Sequence, residues 1–119
     1  ALTPIDAVVE LDGLRLDARA TLDGRVLDLT AMELRILRAL AQHAGRVLTG
    51  AQLARLVWGD DARDHVRSVR GYIARLRRAL EVDPARPRWL VTKRRVGYCL
   101  RRTRDGGAAS ELRDASPDP

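Results

Sequence analysis

The sequence predicts one α+β domain: a small N-terminal antiparallel sheet, three helices and a C-terminal β-hairpin. Three observations predict it. Two Asp-Gly pairs, Asp12-Gly13 and Asp23-Gly24, divide short alternating segments near the N-terminus. Two helical stretches follow, each led by a threonine, Thr30 and Thr49. A third helix, 65–81, carries an apolar stripe on one side and arginines on much of the rest, and a basic hairpin comes after it. At 119 residues the chain is long enough for one core and no second one.

Each element has a local cause. Val8, Glu10 and Leu11 lead to the first Asp-Gly pair; Leu14, Leu16 and Ala18 follow it. Leu22 leads to the second pair, and Val26, Leu27, Asp28 and Leu29 continue beyond it. Asp-Gly between alternating segments is a strong hairpin signal, so three or four short strands are expected. Thr30 and Glu33 have the spacing of a capping box. The helix they open buries Leu34, Leu37, Leu40, Ala41 and Ala44 and ends at Gly45, where a left-handed residue is needed. Arg46, Val47 and Leu48 form a short extended link. Thr49 caps a second helix over 50–57 that buries Leu53, Leu56 and Val57 and closes at Trp58-Gly59. Residues 59–64 read as a polar loop, with Asp64 as N-cap of the next helix.

Val66, Val69, Ile73, Leu76 and Leu80 are spaced 3, 4, 3 and 4 apart, one buried helical face. At about 100° per residue the opposite face is Arg67, Ser68, Gly71, Ala74, Arg75 and Arg78, with Arg70 and Arg77 on one flank. Pro84 and Pro87 stop any helix. Residues 88–92 and 97–101 pair as strands joined by Lys93, Arg94, Arg95 and Val96, with Trp89 packing in the core or hairpin and Cys99 a small core hydrophobe. From 103 to 119 little is available to bury, so this stretch is expected to be a disordered tail. Residues 1–6 read as linker and 7–102 as the domain.

The net charge of +6 is unevenly divided. Residues 62–104 hold 14 Lys and Arg against 3 Asp and Glu, a net of +11, and the rest of the chain nets −5. Such asymmetry reads as a polyanion-binding surface on a supporting scaffold. Arginine's planar fork suits phosphate and the edge of guanine, and a helix fits a major groove. The 65–81 helix is therefore read as a recognition helix.

Other classes find little support. The lone Cys99 excludes a disulfide framework and a cysteine-based zinc site, and a reducing cytoplasm is expected. His43 and His65 have no carboxylate or cysteine at ligand spacing, so they read as surface residues and no metal is expected. No cofactor is expected either: there is no Gly-rich phosphate loop, no nucleophile-histidine-acid order and no paired carboxylate in an apolar setting, which also argues against an enzyme. No stretch approaches membrane-span length. With no Phe, two Trp and two Tyr, stacking residues are too scarce for single-stranded RNA, so double-stranded DNA is the expected partner.

Helix, helix, basic helix and basic hairpin is the order of a winged helix-turn-helix. Over about 7–102 the chain resembles the DNA-binding effector domain of OmpR/PhoB-type response regulators of two-component systems. The resemblance is carried by Asp23-Gly24 with Leu29, Thr30 and Glu33; by Gly45-Arg46-Val47-Leu48-Thr49; and by Leu53 with Val57-Trp58-Gly59. Arg67-Ser68-Val69, then Ile73, Arg75-Leu76-Arg77-Arg78 and Leu80, and finally Thr92 with Val96-Gly97-Tyr98 complete it. It implies that Ser68, Gly71 and Arg75 read base edges and that Arg67, Tyr72 and Arg77 hold phosphates or flanking bases. Arg78 belongs to the same groove-facing set. Thr92 and Tyr98 would bind backbone from the strands and Arg94 would reach the minor groove, with Lys93 and Arg95 read as further DNA-binding residues of the basic wing. The segment Gly59, Asp60, Asp61, Ala62, Arg63 and Asp64, beside Trp58, would touch RNA polymerase. Head-to-tail dimers on direct repeats are implied as well. Trp58 itself fits two readings, a buried helix-end anchor and a DNA-facing indole.

Three departures alter what the resemblance implies. Arg70-Gly71-Tyr72 stands where the family usually has Asp-Val-His, so the base-reading chemistry differs. Gly50 stands where many members have a phosphate-binding arginine, and Arg95 replaces the common wing glycine. The 119 residues hold no acidic-pocket receiver, so the phosphorylation switch is expected outside them. The rival reading is an atypical winged-helix module of a fused sensor or enzyme-like protein, working through protein contacts.

Overall fold

A computed structural model of the protein describes residues 8–103. The expected linker at 1–6 and the tail from 104 onward lie outside the described residues. Four short strands, β1 (Val9–Leu11), β2 (Leu14–Leu16), β3 (Ala20–Leu22) and β4 (Arg25–Val26), form an antiparallel meander in sequence order. Both Asp-Gly pairs make two-residue turns, closing the Leu11↔Leu14 and Leu22↔Arg25 pairs. All four turn residues have positive φ, Asp12 at 45°, Gly13 at 92°, Asp23 at 54° and Gly24 at 84°. That is the conformation whose twist matches the flanking strands. Ala18 is not in a strand: residues 17–19 bend, and the Asp17 carboxylate accepts the Arg19 N–H at 3.1 Å.

Three α-helices follow: α1 (Ala31–Gln42), α2 (Gly50–Trp58) and α3 (Val66–Leu80). Thr30 and Glu33 close a reciprocal capping box on α1, and Thr49 and Gln52 close another on α2. Gly45, at φ 86°, lets the chain leave α1. The last strands, β5 (Leu90–Lys93) and β6 (Gly97–Leu100), form the hairpin. Leu14 and Leu16 from the sheet, Ile36, Leu37 and Leu40 from α1, Leu53 from α2, Val69, Ile73 and Leu76 from α3, and Leu90 and Leu100 from the hairpin meet in one core. Trp89 joins them.

Several expectations need correction. Leu56 is 51% exposed, because α2 packs its other side, Leu53, Ala54 and Val57, into the core and no described element covers the Leu56 side. Val66 is exposed too, since the apolar stripe of α3 meets the core only from Val69 onward. Residues Gly59–His65 form a 3₁₀ helix that runs directly into α3, with Ala62 buried. An N-cap needs extended backbone; His65 is already helical and makes no side-chain cap bond, so Asp64 does not cap α3. Arg101, just past β6, is buried despite its charge: its backbone N–H donates to the Trp89 carbonyl and its guanidinium to the Arg88 carbonyl.

Candidate nucleic-acid interface

The core sets the outward face of α3. Burying Val69, Ile73, Leu76 and Leu80 leaves Arg67, Ser68, Gly71, Arg75 and Arg78 exposed together on the opposite side. Gly71 adds no bulk there, and a Cβ on it would meet nothing within 4 Å. Tyr72 is half-buried at the edge of this face. Its ring centroid lies 5.9 Å from that of Trp58, tilted by 48°, and the Arg75 guanidinium carbon sits 5.1 Å from the Tyr72 centroid. Trp58 stacks on His65 at 4.4 Å and 9°. Of the two readings of Trp58, this packing supports the helix-end anchor.

Arg77 faces the other way. Its Nε donates to the Leu90 carbonyl at 2.9 Å and its second terminal nitrogen to the Thr92 hydroxyl at 2.6 Å. Burial lowers its pKa from the ordinary arginine value, and the charges of Glu81 and Tyr98 act in the opposite direction. Both bonds join α3 to β5. The hydroxyl of Thr92, accepting from Arg77, keeps its own hydrogen to donate to an incoming oxygen.

Glu81, immediately after α3, is buried. Its Oε1 accepts the N–H of Arg88 at 2.7 Å and of Trp89 at 3.1 Å; its Oε2 accepts Trp89 at 2.9 Å and Leu90 at 2.7 Å. One carboxylate thus takes up three successive backbone donors that lead into β5. Nothing in the periodicity of 65–81 marks this residue. The only hint is an acid closing an otherwise basic helix.

The hairpin tip carries Lys93, Arg94, Arg95 and Val96, turned by a Val96 N–H to Lys93 carbonyl bond of 2.8 Å. Arg94 and Arg95 are exposed, and Arg95 takes φ 66° where a glycine would be unstrained. Tyr98 is half-buried, and its backbone exchanges two 2.8 Å hydrogen bonds with Leu48. That bridge lays the α1–α2 link along β6 and brings the start of α2 beside the hairpin. Gly97 permits it, since a Cβ there would overlap the Leu48 carbonyl and lie 2.8 Å from the Thr49 Cα. Five of the six residues Gly59–Asp64 are exposed, all but Ala62, and form an acidic edge beside Trp58. Among the described residues no group of His, Cys, Asp or Glu could hold a metal, and no helix is long and apolar enough to cross a membrane.

Comparison with known proteins adds a family. Residues 24–100 match the family described as "Transcriptional regulatory protein, C terminal". The chain is 40% identical over 101 residues to the KDP operon transcriptional regulatory protein KdpE of Escherichia coli (strain K12). That match covers 82% of this chain and 45% of KdpE, so the chain spans less than half of that relative. Among solved structures, response regulator DrrB, a Thermotoga maritima OmpR/PhoB homologue, is 35% identical with a TM-score of 0.69, covering 79% of this chain and 44% of that one. The RstA DNA-binding domain of Klebsiella pneumoniae, solved in complex with the RstA box, is 27% identical with a TM-score of 0.70, covering 79% of this chain and 96% of that one.

Proposed function

The chain belongs to the family of C-terminal domains of transcriptional regulatory proteins, as an OmpR/PhoB-type winged-helix effector domain; on that footing we propose that it binds duplex DNA in a sequence-dependent way, with α3 in the major groove and the 93–96 tip toward the minor groove. The single observation that supports this most is the outward face of α3, which combines exposed arginines with the flat centre at Gly71. That surface fits a groove floor. It is not an enzyme family, and a module acting only through protein contacts has no use for so basic a face.

Ser68, Gly71 and Arg75 are assigned to base edges, with Arg67, Arg78, Lys93, Arg95, Tyr98 and the hydroxyl of Thr92 at backbone. Arg77 is assigned to holding Thr92 and β5 in place, because its donors already point there. The acidic edge 59–64 is the surface proposed for RNA polymerase, and head-to-tail pairing on direct repeats the proposed assembly. Residues 7–102 are proposed as the working domain, acting in the cytoplasm.

A salt titration tests the reading. Six to ten phosphate contacts lose about 10³–10⁵ in affinity between about 50 and 200 mM salt. Arg75→Ala should cost about 1–3 kcal/mol on a selected duplex and blunt sequence preference, whereas Lys93→Ala should weaken all duplexes alike. A flat salt response would refute DNA binding. Equal losses on selected and random duplexes from both variants would refute the placement of α3.

A further inference from the structure

We propose that Tyr72 is a positioning residue for base reading: its ring holds the Arg75 guanidinium in place on the outward face of α3 before DNA arrives. Discrimination at the base facing Arg75 then depends on the ring and not on the phenol hydroxyl. The proposal rests on the base-reading role assigned to Arg75 above.

Four observations lead to it. Arg75 is exposed, and a free arginine on a helix surface samples many rotamers, which docking must freeze. Its guanidinium carbon lies 5.1 Å from the Tyr72 ring centroid, inside the range of about 6 Å in which a ring attracts a cation. Tyr72 precedes Arg75 by three residues, the spacing that makes helix side chains neighbours. The Tyr72 ring is itself restrained, half-buried against Trp58, which in turn stacks on His65. A column of three rings, rooted where α2 ends and α3 begins, thus terminates at the arginine. Gly71, beside it, offers no side chain that could hold Arg75 from the groove side.

The chemistry suits base reading. A guanidinium packed on a ring keeps the N–H donors along its edge free, and those donors form the bidentate pair with guanine. Holding the group in advance spares part of the rotamer entropy lost on docking. At an exposed site this interaction changes a population by a factor of about two to five. A hydroxyl bound to phosphate would act on all sequences equally, since phosphate contacts carry no sequence information.

The experiment uses the full 119-residue chain and two probes: a duplex selected from a randomised library by the unmutated protein, and a scrambled duplex of the same composition. Affinities are measured for Tyr72→Phe, Tyr72→Leu, Arg75→Ala and the double variant Tyr72→Leu/Arg75→Ala, with melting curves in parallel. Tyr72→Phe should keep both affinities. Tyr72→Leu should lose about two- to fivefold on the selected duplex and nothing on the scrambled one. The double variant should bind no worse than Arg75→Ala, because the two substitutions remove one coupled interaction. If leucine lowers the melting point into the assay range, Tyr72→Met provides a second ringless side chain. Equal losses for Tyr72→Phe and Tyr72→Leu, or equal losses on both duplexes, would overturn the clamp and leave Tyr72 a phosphate ligand. A selectivity loss in Arg75→Ala with none in Tyr72→Leu or Tyr72→Met would overturn the clamp alone. No selectivity loss in Arg75→Ala would overturn the base-reading role and the clamp with it.

Discussion

Replacing Glu81 by alanine should be among the most destabilising single changes in the domain, although the residue is charged and touches no apolar side chain's task. The carboxylate accepts the N–H groups of Arg88, Trp89 and Leu90, and Trp89 and Leu90 are themselves buried. Truncation strands two buried donors, each at about 1–3 kcal/mol, while Arg88, which is exposed, finds water. Part of that total is offset because the native state no longer has to desolvate a carboxylate. A net loss of about 3 kcal/mol is expected, which for a domain of this size is about 12–24 °C in melting temperature. Glu81→Gln should lose less, since it retains one acceptor oxygen but turns an NH₂ group against the remaining donors. Thermal melting by circular dichroism measures the loss, and hydrogen exchange at the amides of Trp89 and Leu90 locates it. A Glu81→Ala protein melting within about 4 °C of the parent, or 1 kcal/mol, would refute the reasoning, for it would mean that water replaces the carboxylate at these donors without cost.

Three further outcomes are expected. Gly97→Ala should break the Leu48–Tyr98 bridge, losing two backbone hydrogen bonds worth about 1 kcal/mol each plus the strain of the displaced link; denaturant unfolding should show a loss of about 2–4 kcal/mol, and an unchanged midpoint would contradict the close approach. Arg94→Ala should leave thermal stability unchanged but weaken binding most on duplexes with A·T-rich flanks, whose narrow minor groove attracts an inserted arginine; selection on randomised flanks checks this, and equal enrichment of G·C flanks by the parent would reduce the tip to a phosphate clamp. The Asp17 carboxyl is held below its ordinary value of 3.8, first by the Arg19 backbone N–H and then by the Arg15 side chain. With the folded pKa below the unfolded one, its contribution is present above about pH 4 and is lost as pH falls through the folded value. Asp17→Asn should therefore lower the melting temperature by a small amount above about pH 4 and leave it unchanged in acid below the folded value, flattening the acid limb, and an identical acid limb would exclude the contribution.

Much of the architecture was legible because local sterics decide it. The Asp-Gly pairs specify positive φ at both turn positions, and all four residues adopt it. Thr30 with Glu33 could only open a helix, and the stripe from Val69 to Leu80 orients α3 whatever surrounds it. The outward arginine face follows from that stripe by subtraction. What was not legible depends on neighbours distant in sequence. Leu56 and Val66 continue apolar patterns, but periodicity does not reveal that, among the described residues, no element covers them. The 3₁₀ segment replaced a polar loop because Ala62 has a place in the core, a fact absent from its own spacing. Glu81, Arg77 and Arg101 look like solvated charges in one dimension, and each is instead spent on backbone groups of the hairpin strands. The Tyr72–Arg75 pair lay between these cases: its spacing of three residues allowed the contact, but the rings that steady it come from α2 and the 3₁₀ turn.

The bridge between Leu48 and Tyr98 has a thermodynamic consequence beyond the local fold. Glu81 and Arg77 fasten β5 to the end of α3, and Leu48 fastens β6 to the start of α2, so hydrogen bonds tie α3, α2 and the hairpin to one another. Three contact regions held separately would each surrender freedom of their own on meeting a duplex; fastened together, they surrender translation and rotation once. On the proposed placement of α3 and the tip, additional phosphate contacts would be gained at close to their full strength, and a duplex whose backbone path departs from that spacing would not engage all three at once. On that placement, discrimination by DNA shape would follow even where no side chain reaches a base.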